Sequence, residues 1–334
     1  MPFSITELET AQASLGRHVR ETPVWEWQGI NKNELVGAQT EVVIKLELMQ
    51  YAGSFKPRGA LCVMLEMNDE ELRRGVTAIS AGNHAIAVSY AAQVLGTNAK
   101  VVMPSNSPKY RVDLCAQMGT EVVLVDDVAV GFELVEQIEK DEGRKFVHPF
   151  DGPRTVLGTG TCGLEFYRQA QHLDMAILPI GGGGLAAGMS AAIKLCNPKC
   201  KIYGVEPEGA NSMSLSFASG QPEKIHAVET VAKSLGAPFA LPYSFGICKQ
   251  HIEQVVLVSD DEIFRAMAIM FHELKLVTEP AAAATMAALL GPLKHETQSK
   301  RVGIIACGAN IGRSTFAEYV ERGEYLLKDE FQVS

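Results

Sequence analysis

Lys56 lies in the stretch Ser54-Phe55-Lys56-Pro57-Arg58-Gly59-Ala60, directly before a proline and two residues from an arginine. A lysine amine is a nucleophile only when neutral, and at an ordinary pKa near ~10.4 roughly one amine in 2,500 is neutral at pH 7. Nucleophilic work therefore requires desolvation or a neighbouring cation to lower that pKa. Arg58 is the candidate cation. Pro57 fixes its own backbone angle and biases Lys56 away from helix, so the amine is expected on a short, aimed connection. The alternative is a pair of solvated loop charges.

Two further stretches have residue types suited to holding anions. Gly181-Gly182-Gly183-Gly184-Leu185 stands between an apolar run, Met175 to Ile180, and an alanine-rich helical stretch, Leu185 to Leu195. Residues without side chains let the backbone approach an anion and turn several N–H groups toward it. No Gly-Lys-Ser/Thr follows, so a monophosphate is expected rather than a nucleoside triphosphate; a flexible linker is the alternative. Ser80-Ala81-Gly82-Asn83-His84 falls where a strand, Val76 to Ser80, turns into a helix, Asn83 to Leu95. Free N–H groups at such a helix N-terminus suit a carboxylate; a plain cap is the other reading.

Gly158-x-Gly160-x-x-Gly163 has the letters of a dinucleotide fingerprint without its context. Asp151 to Arg154 precedes it in place of an apolar strand, and a glycine run stands about 20 residues on, where an acid should hold a ribose. The stretch is expected to be a loop entering a helix, Gly163 to Gln171, capped by Thr161.

These residues need a scaffold, and the chain supplies alternating strands and helices. Val42 to Leu46, Val76 to Ser80, Ala99 to Met103, Glu121 to Val125 and Lys145 to Val147 read as strands, with helices near Pro108 to Met118 and Val128 to Asp141. After Asp151-Gly152-Pro153 a second series follows: Met175 to Ile180, Lys201 to Glu206, Val255 to Val258 and Arg301 to Ala306. Such alternation predicts an α/β fold with two parallel-sheet α/β domains, residues 1–68 with 153–334 and residues 69–152. The site is expected between them, at the C-terminal ends of strands. Ser4/Glu7, Asn68/Glu71 and Ser259/Glu262 have capping-box spacing and are scaffold.

Composition narrows the class. A chain of 334 residues with 47% hydrophobic and 21% charged residues has the size for two domains, and a net charge of −9 argues against a nucleic-acid surface. No apolar run is long enough for a membrane span and no signal peptide is evident, so a cytoplasmic protein is expected. Seven cysteines without framework spacing predict reduced thiols, and Cys196 with Cys200 is too few for zinc. The chain ends soon after its last helix, which leaves no expected room for a regulatory domain.

The Lys56 stretch, Ser80 to His84, Gly181 to Leu185 and Cys307-Gly308-Ala309-Asn310 occur in an order that resembles the fold-type II, tryptophan synthase β-like pyridoxal-phosphate enzymes. Within these the likeness is to the threonine/serine dehydratase and serine racemase group, and it covers most of the chain. The resemblance implies pyridoxal 5'-phosphate as cofactor, carried by Lys56, which also serves as base at Cα. It implies cofactor contacts from Phe55, Asn83, Gly181, Gly182, Gly183, Gly184, Leu185, Glu279 and Cys307. Asn83 would face the ring hydroxyl and Cys307 the pyridine nitrogen. A thiol there, unlike an aspartate, leaves that nitrogen largely unprotonated. Ser80, Ala81, Gly82, Asn83 and His84 would hold the substrate.

Some relatives bind a divalent cation after the next strand. Glu206 and Ala210 match as candidate ligands, but Ser212 stands where a second acid is expected, and hard cations want several oxygens. Lys233-Ser234 likewise replaces the usual Asp-Gly. The implied activity is an ammonia-lyase that converts L-threonine or L-serine to a 2-oxo acid and ammonium, with an amino acid as small-molecule partner and a homodimer as assembly. Serine racemase and 3-hydroxyaspartate dehydratase are alternatives within the group. A non-catalytic sensor and an NAD enzyme are alternatives outside it. Ala81 bears on racemisation, since serine racemases of this kind carry serine at that place.

Overall fold

The computed structural model describes residues 1–328. Among the described residues the apolar runs become ten strands: β1 (Val24–Glu26), β2 (Glu41–Lys45), β3 (Val76–Ile79), β4 (Ala99–Pro104), β5 (Glu121–Val125), β6 (Lys145–Phe146), β7 (Met175–Pro179), β8 (Lys201–Pro207), β9 (Gln254–Val258) and β10 (Arg301–Ile305). They form a six-stranded sheet in the order β1-β2-β10-β7-β8-β9 and a four-stranded sheet in the order β5-β4-β3-β6. Every pairing is parallel except β1 with β2, an antiparallel edge. Helices cover both faces of β7, which explains why all five of its residues are buried and why it reads as an unbroken apolar run. Trp25 at the edge is exposed, while Trp27 is buried in the core.

The glycine-spaced stretch departs from expectation. It is neither a loop nor a helix entry: one helix runs Pro153–Gln169, with the proline in its first turn, and Thr161 is internal, its Oγ1 donating to the Gly158 carbonyl at 2.6 Å. The glycines are there for close crossing. A Cβ at Gly158 would stand 2.3 Å from the Arg58 carbonyl oxygen, and one at Gly163 would stand 2.8 Å from the Met189 backbone. The helices Lys56–Met64 and Gly184–Cys196 cross this one with almost no side chain between. Glycine spacing here records packing, which sequence letters alone do not separate from nucleotide binding.

Lys56 also departs from expectation, since it opens the helix Lys56–Met64. Pro57 falls in the first turn, where its missing N–H has no intrahelical partner to lose. Arg58 is not the expected cation for Lys56. It is fully buried, with Nε 2.8 Å from Glu47 and Nη2 2.7 Å from Glu165, and Lys45 lies 3.1 Å from the same Glu165. Two cations thus meet two carboxylates in a closed set that anchors the Lys56 helix from below. All seven cysteines are free thiols, and no helix among the described residues is long and apolar enough to cross a membrane.

Candidate active site

The last residues of β3, β4 and β7 (Ile79, Pro104 and Pro179) open into one cleft of about 240 Å³ between the two sheets. Phe55, Lys56, Ser80 to His84, Gly181 to Leu185, Glu279 and Cys307 all line it. Fourteen positions spread over some 250 residues of chain are thus brought within reach of one small ligand. The cause is topological: parallel strands all end on the same side, so the loops after β3, β7 and β10 converge.

The surroundings of Lys56 suit a nucleophile. Burial lowers its pKa to about 8, while Cys307 and Glu279 pull it part of the way back. About one amine in ten is then neutral at pH 7, compared with one in 2,500 for a solvated lysine. The amine donates to the Pro149 carbonyl, which aims it.

Across from it lies the glycine turn. Gly183 has φ +92° immediately before the helix Gly184–Cys196, a conformation that L side chains resist. A Cβ at Gly182 would meet the Phe150 ring at 2.2 Å, and one at Gly184 the Phe150 carbonyl at 2.3 Å. The bare backbone therefore follows from steric need, and it leaves a helix N-terminus lining the cleft, a setting that suits an anion.

Asn83, at the first residue of the helix Asn83–Leu95, spans the two sheets. Its Nδ2 donates to the Glu279 carboxylate, and its Oδ1 accepts from Asn310 Nδ2 at 2.8 Å. Glu279 also accepts from Ser234 Oγ at 2.7 Å; burial raises its pKa, with Arg111 opposing. His84 is held 2.7 Å from the Val147 carbonyl oxygen, which can only accept, so Nε2 carries the proton. Burial pushes its pKa down to about 3, and the ring is neutral. Burial likewise drives the Cys307 thiol well above its ordinary pKa. It stays protonated, an uncharged weak donor. Arg111, Phe132, Pro149 and Phe150 line the cleft too, although no motif in the sequence announces them.

Glu206 and Ala210 stand apart from the cleft. Both Glu206 oxygens accept backbone N–H groups, from Met213 at 2.9 Å and Ser214 at 2.7 Å, so the carboxylate caps the helix Ser212–Ser219. Among the described residues no group of three or more His, Cys, Asp or Glu side chains gathers to hold a metal.

A lysine with a depressed pKa, a side-chain-free anion cradle and a neutral thiol in one cleft fit pyridoxal phosphate. Residues 15–308 match the family described as pyridoxal-phosphate dependent enzyme. The chain belongs to that family. Among its relatives, this pyridoxal-phosphate enzyme is 48% identical over 313 residues to a phenylserine dehydratase of Ralstonia pickettii, covering 93% of this chain and 94% of that one. It is 33% identical to an L-threonine ammonia-lyase of Thermotoga maritima, covering 96% and 79% respectively. The structure of maize serine racemase superposes with a TM-score of 0.88 at 30% identity, over 99% of this chain and 100% of that one. The fold is therefore the fold-type II arrangement that the motifs implied.

Proposed function

We propose that this enzyme is an ammonia-lyase acting on L-β-hydroxy-α-amino acids, releasing a 2-oxo acid and ammonium. The single observation that carries the reading is Ala81, which lines the cleft with Lys56 and presents a methyl group. Racemisation needs a second acid/base on the far face of Cα, and a methyl group cannot transfer a proton.

Bound pyridoxal phosphate supplies the electron sink that makes a carbanion at Cα accessible. The chain's own residues do the rest. Lys56, neutral in part at pH 7, takes the Cα proton. The N–H groups of Gly181 to Gly184 would hold the phosphate, and those of the turn from Ser80 to His84 would hold the substrate carboxylate. With the cofactor bound, Asn83 would face the ring hydroxyl, and the protonated Cys307 would stand near the ring nitrogen without giving it a proton. Loss of the β-hydroxyl, which leaves as water by taking up the equivalent of the proton removed from Cα, gives an enamine. Its tautomer, the imine, takes up water and releases ammonium with no further residue required.

The β-substituent is expected to be neutral. Phe132 and Phe150 line the cleft, and the Phe239 ring packs at a tilt against both, at centroid distances of 6.0 Å and 6.1 Å. This apolar wall suits the methyl of L-threonine, the hydrogen of L-serine or the phenyl of 3-phenylserine, and disfavours a second carboxylate as in 3-hydroxyaspartate. A panel of these four substrates, assayed for oxo acid and ammonium, tests the reading. The three neutral substrates should turn over ahead of 3-hydroxyaspartate. Absence of oxo acid from all four would reject the lyase assignment.

A further inference from the structure

Arg111 is a buried cation in the cleft that the lyase reading leaves without a task. It sits on the helix Lys109–Gln117, lines the cleft, and is 8% exposed. Nε donates to the Tyr110 hydroxyl at 2.9 Å, and Nη2 donates to the Asn310 carbonyl and reaches Glu279 Oε2 at 3.4 Å. Nη1 makes no hydrogen bond among the described residues. It lies over Gly82, where an added Cβ would be 2.3 Å away. A side chain at residue 82 would have to displace the guanidinium from this place. Nε and Nη2 fix the plane of the fork, and Nη1 is left aimed into the turn from Ser80 to His84.

We propose that Nη1 of Arg111 binds the substrate's carboxylate together with the backbone N–H groups of the Gly82 turn, making Arg111 a specificity-determining residue. The inference rests on the proposed function in placing a carboxylate at that turn. A guanidinium does not lose its charge at accessible pH, and its flat fork suits a carboxylate better than a lysine's point charge does. A role confined to pairing Glu279 needs only Nη2, and would leave Nη1 without a task.

Holoenzyme carrying Arg111→Gln or Arg111→Lys tests this. L-alanine and L-alaninamide have no β-hydroxyl to lose, and their binding can be followed by the change in cofactor absorbance. Wild type should prefer the acid. Arg111→Gln should lose that preference by about 10- to 100-fold, the effect of removing a hydrogen bond to a charged group. Its affinity for the amide and for the cofactor should stay unchanged, and Arg111→Lys should fall between. An intact acid preference in Arg111→Gln overturns the proposal. So does a loss of cofactor affinity as large as the loss for alanine, which would assign Arg111 to Glu279 and the ring instead. Failure of every β-hydroxy amino acid to yield oxo acid defeats the lyase reading alone, because the alanine comparison requires no turnover.

Discussion

Lys56 Nζ donates to the carbonyl oxygen of Pro149, joining the first turn of the Lys56 helix to the segment that follows β6. An amine held on a carbonyl inside a protein has lost most of its water, and this is why its pKa falls to about 8.

That depression gives a pH dependence. Apoenzyme mixed with pyridoxal phosphate should gain the absorbance of lysine-bound cofactor at a rate that rises about tenfold per pH unit below 8 and levels above it, as the neutral fraction does. Lys56→Ala should give no such absorbance. Stopped-flow mixing from pH 6 to 9.5 measures it, and a profile still climbing tenfold per unit at pH 9.5 would mean an ordinary lysine.

Gly183→Asp should weaken cofactor affinity strongly. Its φ of +92° strains any side chain, a Cβ there would stand 2.7 Å from the Met213 methyl carbon so that the turn must shift, and the variant adds a negative charge to the turn proposed to hold phosphate. Unit charges ~4 Å apart repel by about 4 kcal/mol at an effective dielectric near ~20. Equilibrium titration with cofactor reads the change; equal affinity in mutant and wild type removes the phosphate cradle from the glycine turn.

His84 should make the fold sensitive to acid. Its pKa is about 3 when folded, below the 6.5 of a solvated histidine, so the unfolded chain takes up a proton first as pH falls. Stability is then lost between about pH 6.5 and 3, on the order of 1.4 kcal/mol per pH unit from this one group. His84→Gln keeps a donor for the Val147 carbonyl and removes the titration. Urea unfolding at pH 7, 6, 5 and 4 should show a shallower loss in the variant, and parallel slopes would contradict the assignment.

Ala81→Ser should gain racemisation. Wild type acting on L-serine should yield pyruvate with little D-serine, and the serine hydroxyl should raise the D-serine share by supplying a proton donor. Chiral chromatography of the reaction decides between the outcomes. D-serine formed by wild type as fast as pyruvate would point to a proton donor other than residue 81.

Much of this was legible in the chain. The strand runs appear where their apolar residues stand, because parallel strands buried on both faces cannot alternate with polar residues. The three capping boxes form as spaced, because a side-chain oxygen three residues before a glutamate satisfies local N–H groups without help from elsewhere. The glycine turn after β7 and the lysine before Pro57 stood out by type and position, and both line the cleft.

Other features depended on contacts that no local pattern encodes. Gly158, Gly160 and Gly163 have nucleotide spacing, yet the helices crossing over them made them packing residues. Arg58 beside Lys56 suggested a field on the amine, yet Glu47 and Glu165, the second of them 107 residues further along the chain, take up its charge. Arg111 carried no signal at all, and it enters the cleft because β4 and the helix after it bring it over Gly82. Sequence determined which residue types could do chemistry and which segments would be strands, since both follow from local composition. Only the tertiary structure decided which charges are neutralised, which glycines face helices and which side chains reach the cleft, because burial and charge pairing are set by residues far apart in the chain.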